Sequence, residues 1–385
     1  MFNNLPNGLG GATELVAAGR LMDATAAIQR MLGGLAQPTA TSELRGEREP
    51  PTIDGVAERS GTGADKTASR RPERSQAFLG KMTLRDLVRA KANVPAASVT
   101  VPDGAQFLAE NFANEAGSRP YKLYVPSGYR AGEHVPLVVM LHGCTQSPDD
   151  FAVGTRMNEI AEERNFLVVY PGQIGSANMQ KCWNWFNDGD QKRGVGEPSL
   201  IAGITRKVTA EYAVDPKRVF VAGLSAGGAA AAIMGHAYPD LFAAIGVHSG
   251  LACGAARDMP SAFNAMRQGA AGSVSGPRRP FVPAIVFHGD RDTTVNPRNG
   301  DAVVAQLVGD AVLGTRVEAG QVPGGRSYTR TIRADAAGHA VLEQWVIHGA
   351  LHAWAGGSPA GSYTDPYGPD ATREMVRFFL ETKDA

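Results

Sequence analysis

Between Arg218 and Gly228 the chain reads Arg-Val-Phe-Val-Ala-Gly-Leu-Ser-Ala-Gly-Gly, and an alanine-rich stretch follows at once. The branched and aromatic residues predict a strand and the alanines a helix, so a sharp turn must join them. A serine at the apex of such a turn, in Gly223-Leu224-Ser225-Ala226-Gly227, is a nucleophile elbow. The apex residue takes a strained conformation, and small residues two before and two after it keep the flanking segments from colliding. The bare pattern Gly-x-Ser-x-Gly arises by chance in a chain with 46 glycines. A strand before it, a helix after it and partners downstream are what make it specific.

The surroundings supply that context. Val135 to Leu141 is a continuous apolar run, Phe151 to Arg164 predicts a helix, and Leu167 to Tyr170 a strand. Leu200 to Tyr212 predicts a second helix and Val219 to Ala222 the strand into the elbow, with further strands over Ala243 to Val247, Ala284 to Phe287 and Gln344 to Ile347. A closing helix is expected over Ala371 to Glu381, and Phe107 to Asn114 with Arg119 to Val125 predict an antiparallel pair closed by Glu115-Ala-Gly-Ser118. Uninterrupted apolar strands alternating with helices predict an α/β fold, with a mostly parallel central sheet covered on both faces. In such sheets chemistry sits at the carboxyl ends of the strands.

A chain of 385 residues accommodates one large domain and an extension. Residues 1–35 are expected to carry an amphipathic helix, with Leu21, Ile28 and Leu32 on one stripe; residues 36–104, rich in Pro, Gly, Ser, Thr and mixed charge, read as a largely disordered linker; residues 105–385 form the folded domain. Lysine plus arginine and aspartate plus glutamate both number 38, and no basic stripe with interleaved aromatics occurs, so nucleic acid is not an expected partner. No apolar run reaches the length of a membrane span, and Glu14, Arg20, Asp23 and Arg30 interrupt any signal-peptide core, so no span and no leader are expected. Three cysteines exclude a disulfide-stapled scaffold, and their spacing is not that of a zinc site, so no metal is expected. Cys144 and Cys182 both follow predicted strand ends; a disulfide could join them in an oxidising compartment, and they would be thiols in a reducing one.

A serine hydroxyl is a weak nucleophile at neutral pH and needs a base, and the base needs a third group to fix its tautomer. Asp292 follows the strand within Pro283-Ala-Ile-Val-Phe-His-Gly-Asp-Arg-Asp292, and His352 lies in the loop Gly349 to Gly357 after another. The order Ser225, Asp292, His352 is that of α/β-hydrolases. Asp290 competes for the acid, but Thr293-Thr-Val295 after the strand end favours Asp292. His348 competes for the base, but it ends a strand directly and is expected to hydrogen-bond backbone. His142, His248 and His288 end strands too and are expected to be structural. Donors for an oxyanion are expected from the amides of Ala226 and of Cys144, in Leu141-His-Gly-Cys-Thr-Gln146, where Gly143 lets the chain turn. Trp183, Asn184 and Trp185, in Lys181 to Phe186, together with Trp354, read either as core packing or as a hydrophobic wall for a bound ester.

With these pieces placed, the chain resembles the esterase family of poly(3-hydroxybutyrate) depolymerases, the short-chain-length polyhydroxyalkanoate depolymerases with a central elbow. The resemblance is carried by Arg119 to Pro126, Leu141 to Gln146, Cys182 to Phe186, Gly223 to Gly228, His248-Ser-Gly250, His288 to Asp292 and His352-Ala-Trp354. It implies an α/β-hydrolase that cleaves esters through an acyl-enzyme without a cofactor, with Ser225, Asp292 and His352 as the triad. Its implied partner is a hydroxyalkanoate oligomer or polymer, and its implied location is extracellular, with the cytoplasm as the alternative in the absence of a visible signal. Relatives that attack solid polymer usually carry a separate substrate-binding domain after the catalytic one, and none is expected here. The same motifs around the serine occur in feruloyl and acetylxylan esterases, which form the alternative substrate reading; a catalytically silent binding module is the alternative of another class.

Overall fold

Every residue of Val135–Leu141 is buried, which requires cover on both faces of the sheet that holds it. The computed structural model describes residues 98–270 and 282–382. The expected N-terminal helix, and the expected linker up to residue 97, lie outside the described residues. In chain order the strands are β1 (Gln106–Asn114), β2 (Gly117–Val125), β3 (Val135–Leu141), β4 (Leu167–Pro171), β5 (Val214–Leu224), β6 (Ala244–His248), β7 (Ala284–Gly289), β8 (Gly314–Gln321), β9 (Ser327–Ala334), β10 (Ala340–Ile347), β11 (Trp354–Ala355) and β12 (Thr364–Asp365). The helices are α1 (Pro148–Thr155), α2 (Met157–Arg164), α3 (Gly196–Glu211), α4 (Ala226–Ala237), α5 (Met259–Gln268), α6 (Arg298–Val308) and α7 (Ala371–Glu381).

The main sheet runs β1-β2-β4-β3-β5-β6-β7-β10-β9-β8. From β4 to β10 every neighbouring pair is parallel, while β1 and β2 on one side and β9 and β8 on the other are antiparallel additions. Alternation along β3 divides the core into two layers. Leu137, Val139 and Leu141 pack with residues of α3, α4 and α6, whereas Val138 and Met140 pack with residues of α1, α2 and α7. The α/β architecture expected from alternating apolar runs is therefore present, with helices on both faces.

Differences from the expected elements have local causes. The helix expected over Phe151 to Arg164 is two helices, divided at Arg156, whose φ is 56°. The first begins at Pro148, after Ser147 caps it by accepting from Asp150 N–H. Arg156 Nη2 donates to Gly356 O at 3.0 Å and Asp370 Oδ2 at 3.2 Å, so tertiary bonds hold a break that no glycine or proline announces. The antiparallel hairpin β8–β9 and helices α5 and α6 were not among the expected elements. β8 is exposed or half-exposed throughout, so it lacks the apolar alternation by which strands are recognised.

Candidate active site

Ser225 stands between β5 and α4 with φ 58° and ψ −119°, outside the ordinary basins for a residue with a side chain. The turn tolerates only glycine two residues before and two residues after it. A Cβ on Gly223 would lie 2.3 Å from Gly227 O, and one on Gly227 would lie 2.0 Å from Leu141 O. The apex is held from below by Ser225 N–H, which donates to His248 O at 2.9 Å. Ser225 begins the first turn of α4, so the Ala226 N–H points out of the helix without an intrahelical acceptor.

The β3 carboxyl end carries Gly143 and Cys144 to the same place, since a Cβ on Gly143 would lie 3.6 Å from Ser225 Cβ. Side chains fix this loop. Gly143 N–H donates to Gln146 Oε1 at 2.9 Å, His142 Nδ1–H donates to Gly143 O at 2.8 Å, and Thr145 N–H donates to Gln180 O at 2.6 Å. Cys144 is joined to Cys182 by a disulfide. The Cys182 side is held in turn by Glu197, a buried carboxylate that accepts from Asn184 N–H at 2.6 Å, Asn184 Nδ2 at 2.9 Å, Arg119 Nη2 at 3.1 Å and Gln173 Nε2. Burial raises the Glu197 pKa above its ordinary value, against the hydrogen bonds from Asn184 and Gln173. Gln173 Nε2 also donates to Cys182 O at 2.8 Å.

Asp292 and His352 are brought together by the adjacency of β7 and β10. His352 Nδ1–H donates to Asp292 Oδ2 at 2.6 Å, while Asp292 Oδ1 accepts from Thr294 N–H at 2.9 Å and Val295 N–H at 2.8 Å. The carboxylate is fully buried. Burial alone would raise its pKa, but bonds from His288 and His352, the His352 charge and the Val295 amide outweigh burial and hold Asp292 well below the usual carboxylate range. An acid that stays ionised beside an imidazole fixes its tautomer and stabilises its cation.

The competing acid and base form a separate pair. Asp290 Oδ2 accepts from His348 Nδ1 at 3.0 Å, and the far His348 nitrogen meets Thr329 Oγ1 at 2.9 Å, on an exposed part of the surface. This corrects the expectation for His348: its ring bonds side chains, not backbone. His142 and His248 brace loops. Gln173 N–H donates to His142 Nε2 at 3.0 Å and Ala355 N–H to His248 Nε2 at 3.0 Å. Burial is the largest cause that lowers their pKa values, to about 4 for His142 and about 3 for His248. His288 Nε2–H donates to Val295 O at 2.9 Å and lies 3.5 Å from Asp292 Oδ2.

The aromatic wall is corrected. Trp183 and Trp354 are 0% and 1% exposed, with indole N–H groups donating to His142 O at 3.1 Å and Thr372 Oγ1 at 3.0 Å. Trp185 is also buried, and the Asn184 amide is occupied by Glu197 and Asn178. Trp183 and Trp185 pack in the core layer beside Cys144 and Cys182, while Trp354 packs in the other layer against Phe151 and His248, so buried rings of this kind present no surface to a ligand. Residues missed from the sequence are Gln146, Gln173 and Glu197. Gln146 was inside the quoted Leu141 to Gln146 motif, and its signal was a polar residue directly after a tight turn.

Among the described residues no cluster of His, Cys, Asp and Glu could hold a metal ion, and no helix is long and apolar enough to cross a membrane. The family model described as "Esterase PHB depolymerase" matches residues 119–321, a span that includes Ser225 and Asp292 and stops before His352. The chain is 33% identical over 253 residues to a poly(3-hydroxyalkanoate) depolymerase C of Paucimonas lemoignei, a match that covers 63% of this chain and 60% of that protein. It is 30% identical over 205 residues to a feruloyl esterase B of Neurospora crassa, covering 47% of this chain and 68% of the relative. The chain thus spans 60% of the depolymerase of Paucimonas lemoignei and 50% of a second one, from Ralstonia pickettii. An acetyl xylan esterase from Aspergillus awamori shares the fold, with a TM-score of 0.55 at 22% identity over 72% of this chain and 99% of that one.

Proposed function

The chain belongs to the esterase PHB depolymerase family, and from that premise we propose that it is a serine carboxylic-ester hydrolase acting on short-chain hydroxyalkanoate esters or oligomers. The observation that carries the reading is the 2.6 Å bond between His352 and the buried Asp292, on the sheet end that presents Ser225. His352 Nε2 takes the Ser225 proton as Oγ attacks the ester carbonyl, and Asp292 stabilises the imidazolium. The Cys144 and Ala226 amides receive the oxyanion, each such donor contributing roughly 3 to 4 kcal/mol to the transition state. The alcohol leaves with the proton from His352, and water then cleaves the acyl-enzyme by the reverse route. No cofactor takes part.

The disulfide between Cys144 and Cys182 supports an oxidising compartment. Similarity to a feruloyl esterase B favours a second reading, in which aromatic or acetyl esters are the substrates. The test is initial hydrolysis of a soluble hydroxybutyrate oligomer, amorphous poly(3-hydroxybutyrate) and methyl ferulate by the wild type and Ser225→Ala. Hydroxybutyrate cleavage that falls by about 10⁶ in the variant supports the reading. Serine-dependent cleavage of ferulate alone moves the enzyme to the second reading, and activity indifferent to the substitution sinks both.

A further inference from the structure

An open hollow of about 450 Å³ lies directly beside His352, with Leu351, Pro359, Tyr363, Arg326 and Asp365 in its lining. It falls within the size range of small-ligand sites, roughly 300 to 1,000 Å³. We propose that this hollow is the subsite for the leaving alcohol and that Tyr363 determines which alcohols fit. The inference rests on the ester-hydrolase reading above.

The side of the scissile bond follows from proton bookkeeping. When the Ser225 Oγ–carbonyl bond has formed and the carbonyl–alkoxy bond breaks, the alkoxy oxygen must receive its proton from His352, so that oxygen sits within hydrogen-bond reach of the imidazole. Whatever hangs from it therefore occupies the space that adjoins His352. That space is much larger than a methyl or ethyl group fills. Its aliphatic and aromatic walls are available to a ligand, since Leu351 is 58% and Tyr363 48% exposed. Its charges are already matched: Arg326 donates to the Asp365 carboxylate and to Gly349 O at 2.8 Å. A neutral, extended alcohol, such as a further hydroxyalkanoate unit capped as an ester, suits these walls better than one that ends in a free carboxylate.

Tyr363 is a fixed wall. Its φ of 52° is unusual for an aromatic residue, and surrounding bonds hold it there. Tyr363 O accepts from Trp354 N–H at 2.7 Å, and its hydroxyl meets Thr145 Oγ1 at 3.1 Å, one residue beyond Cys144. The preceding Ser362 is gripped by Asp150 Oδ1, which accepts its N–H at 2.9 Å, and by Gln146 Nε2, which donates to its carbonyl at 3.1 Å. Gln146 is the residue that holds Gly143 N–H, so the wall and the oxyanion loop share one support.

The experiment compares two substrate series on the wild type, Tyr363→Ala and Tyr363→Phe. In the first the acyl group is 3-hydroxybutyryl and the leaving alcohol is methanol, methyl 3-hydroxybutyrate or 3-hydroxybutyrate. In the second the alcohol is methanol and the acyl group varies in length. We expect the wild type to prefer the methyl-capped dimer, and Tyr363→Ala to cut that preference about tenfold, chiefly through KM. Tyr363→Phe keeps the ring and should retain the preference, and the ratios within the acyl series should not move in either variant. Equal changes in both series, or an unchanged alcohol preference in Tyr363→Ala, would overturn the subsite. Absence of Ser225-dependent hydrolysis of every ester would instead overturn the reading beneath it.

Discussion

Acid should destabilise this fold as soon as a free imidazole would begin to protonate, because two buried histidines must stay neutral. His142 Nε2 accepts from Gln173 N–H and His248 Nε2 accepts from Ala355 N–H, so a proton on either nitrogen would face a donor. Both rings are 1% exposed. In the unfolded chain an imidazole titrates near ~6.5, whereas burial lowers the folded values to about 4 and about 3. Between those limits the unfolded state binds more protons than the folded one, so stability falls as pH falls and flattens only below the folded values. At pH 5 each histidine costs about 2 kcal/mol, and at pH 7 almost nothing, so the pair removes about 4 kcal/mol over that interval. Glu197 works in the opposite direction, since its raised pKa means that acid relieves the cost of its buried charge. The difference between proteins, not the absolute slope, is therefore the measure. Urea unfolding followed by tryptophan fluorescence at pH 7 and pH 5 should show His142→Gln and His248→Gln each losing about 2 kcal/mol less than the wild type on acidification. The variants are expected to start less stable, but that offset cancels in the comparison. A gap between variant and wild type that stays constant with pH would refute the reasoning.

Three further outcomes follow from the site. Asp292→Asn should lower kcat by about 10⁴ through loss of the His352 tautomer, while Asp290→Asn, whose amide oxygen can still accept from Gly349 N–H and whose other partner is the exposed His348, should leave steady-state kinetics within about twofold. Glu197→Ala strands the Arg119 charge in the interior and should cost roughly 3 to 5 kcal/mol in a denaturation experiment; kcat should fall more than KM changes, since the segment bonded to Cys144 is released. Reduction of Cys144–Cys182, separated by 38 residues, should cost up to about 4 kcal/mol of stability, read as a lower unfolding midpoint with reductant present.

What the sequence made legible was whatever depends on local pattern. The strand Val135–Leu141 and the Gly223 to Gly227 elbow are both visible as runs, because full burial demands apolar residues and close approach demands glycine. That Asp292, and not Asp290, meets His352 was also within reach of the sequence, since Thr294 and Val295 supply the amides that bind one carboxylate oxygen while the other accepts from His352. Less legible was anything decided by distant partners. The break at Arg156 depends on Asp370 and Gly356, some two hundred residues away in sequence. Trp183 and Trp354 read equally well as wall or core, because an indole advertises area and not direction, and only their partners His142 and Thr372 decide the matter. Glu197 carries no mark as the hub of the Cys182 segment, for an acidic residue in the first turn of a helix is ordinary.

The parallel pairing of β7 with β10, Gly289 beside Ile347, also bears on how such a chain can change. Asp292 and His352 are carried on loops leaving two hydrogen-bonded neighbours, so their spacing is inherited from the width of a sheet ladder and owes nothing to the length of chain between them. That intervening chain makes α6 and then runs out to the sheet edge as the β8–β9 hairpin before it returns. It is a detour with fixed endpoints. Lengthening, trimming or redecorating the excursion leaves the two ends in register, so this stretch can accumulate new surface while the acid and the base stay in contact.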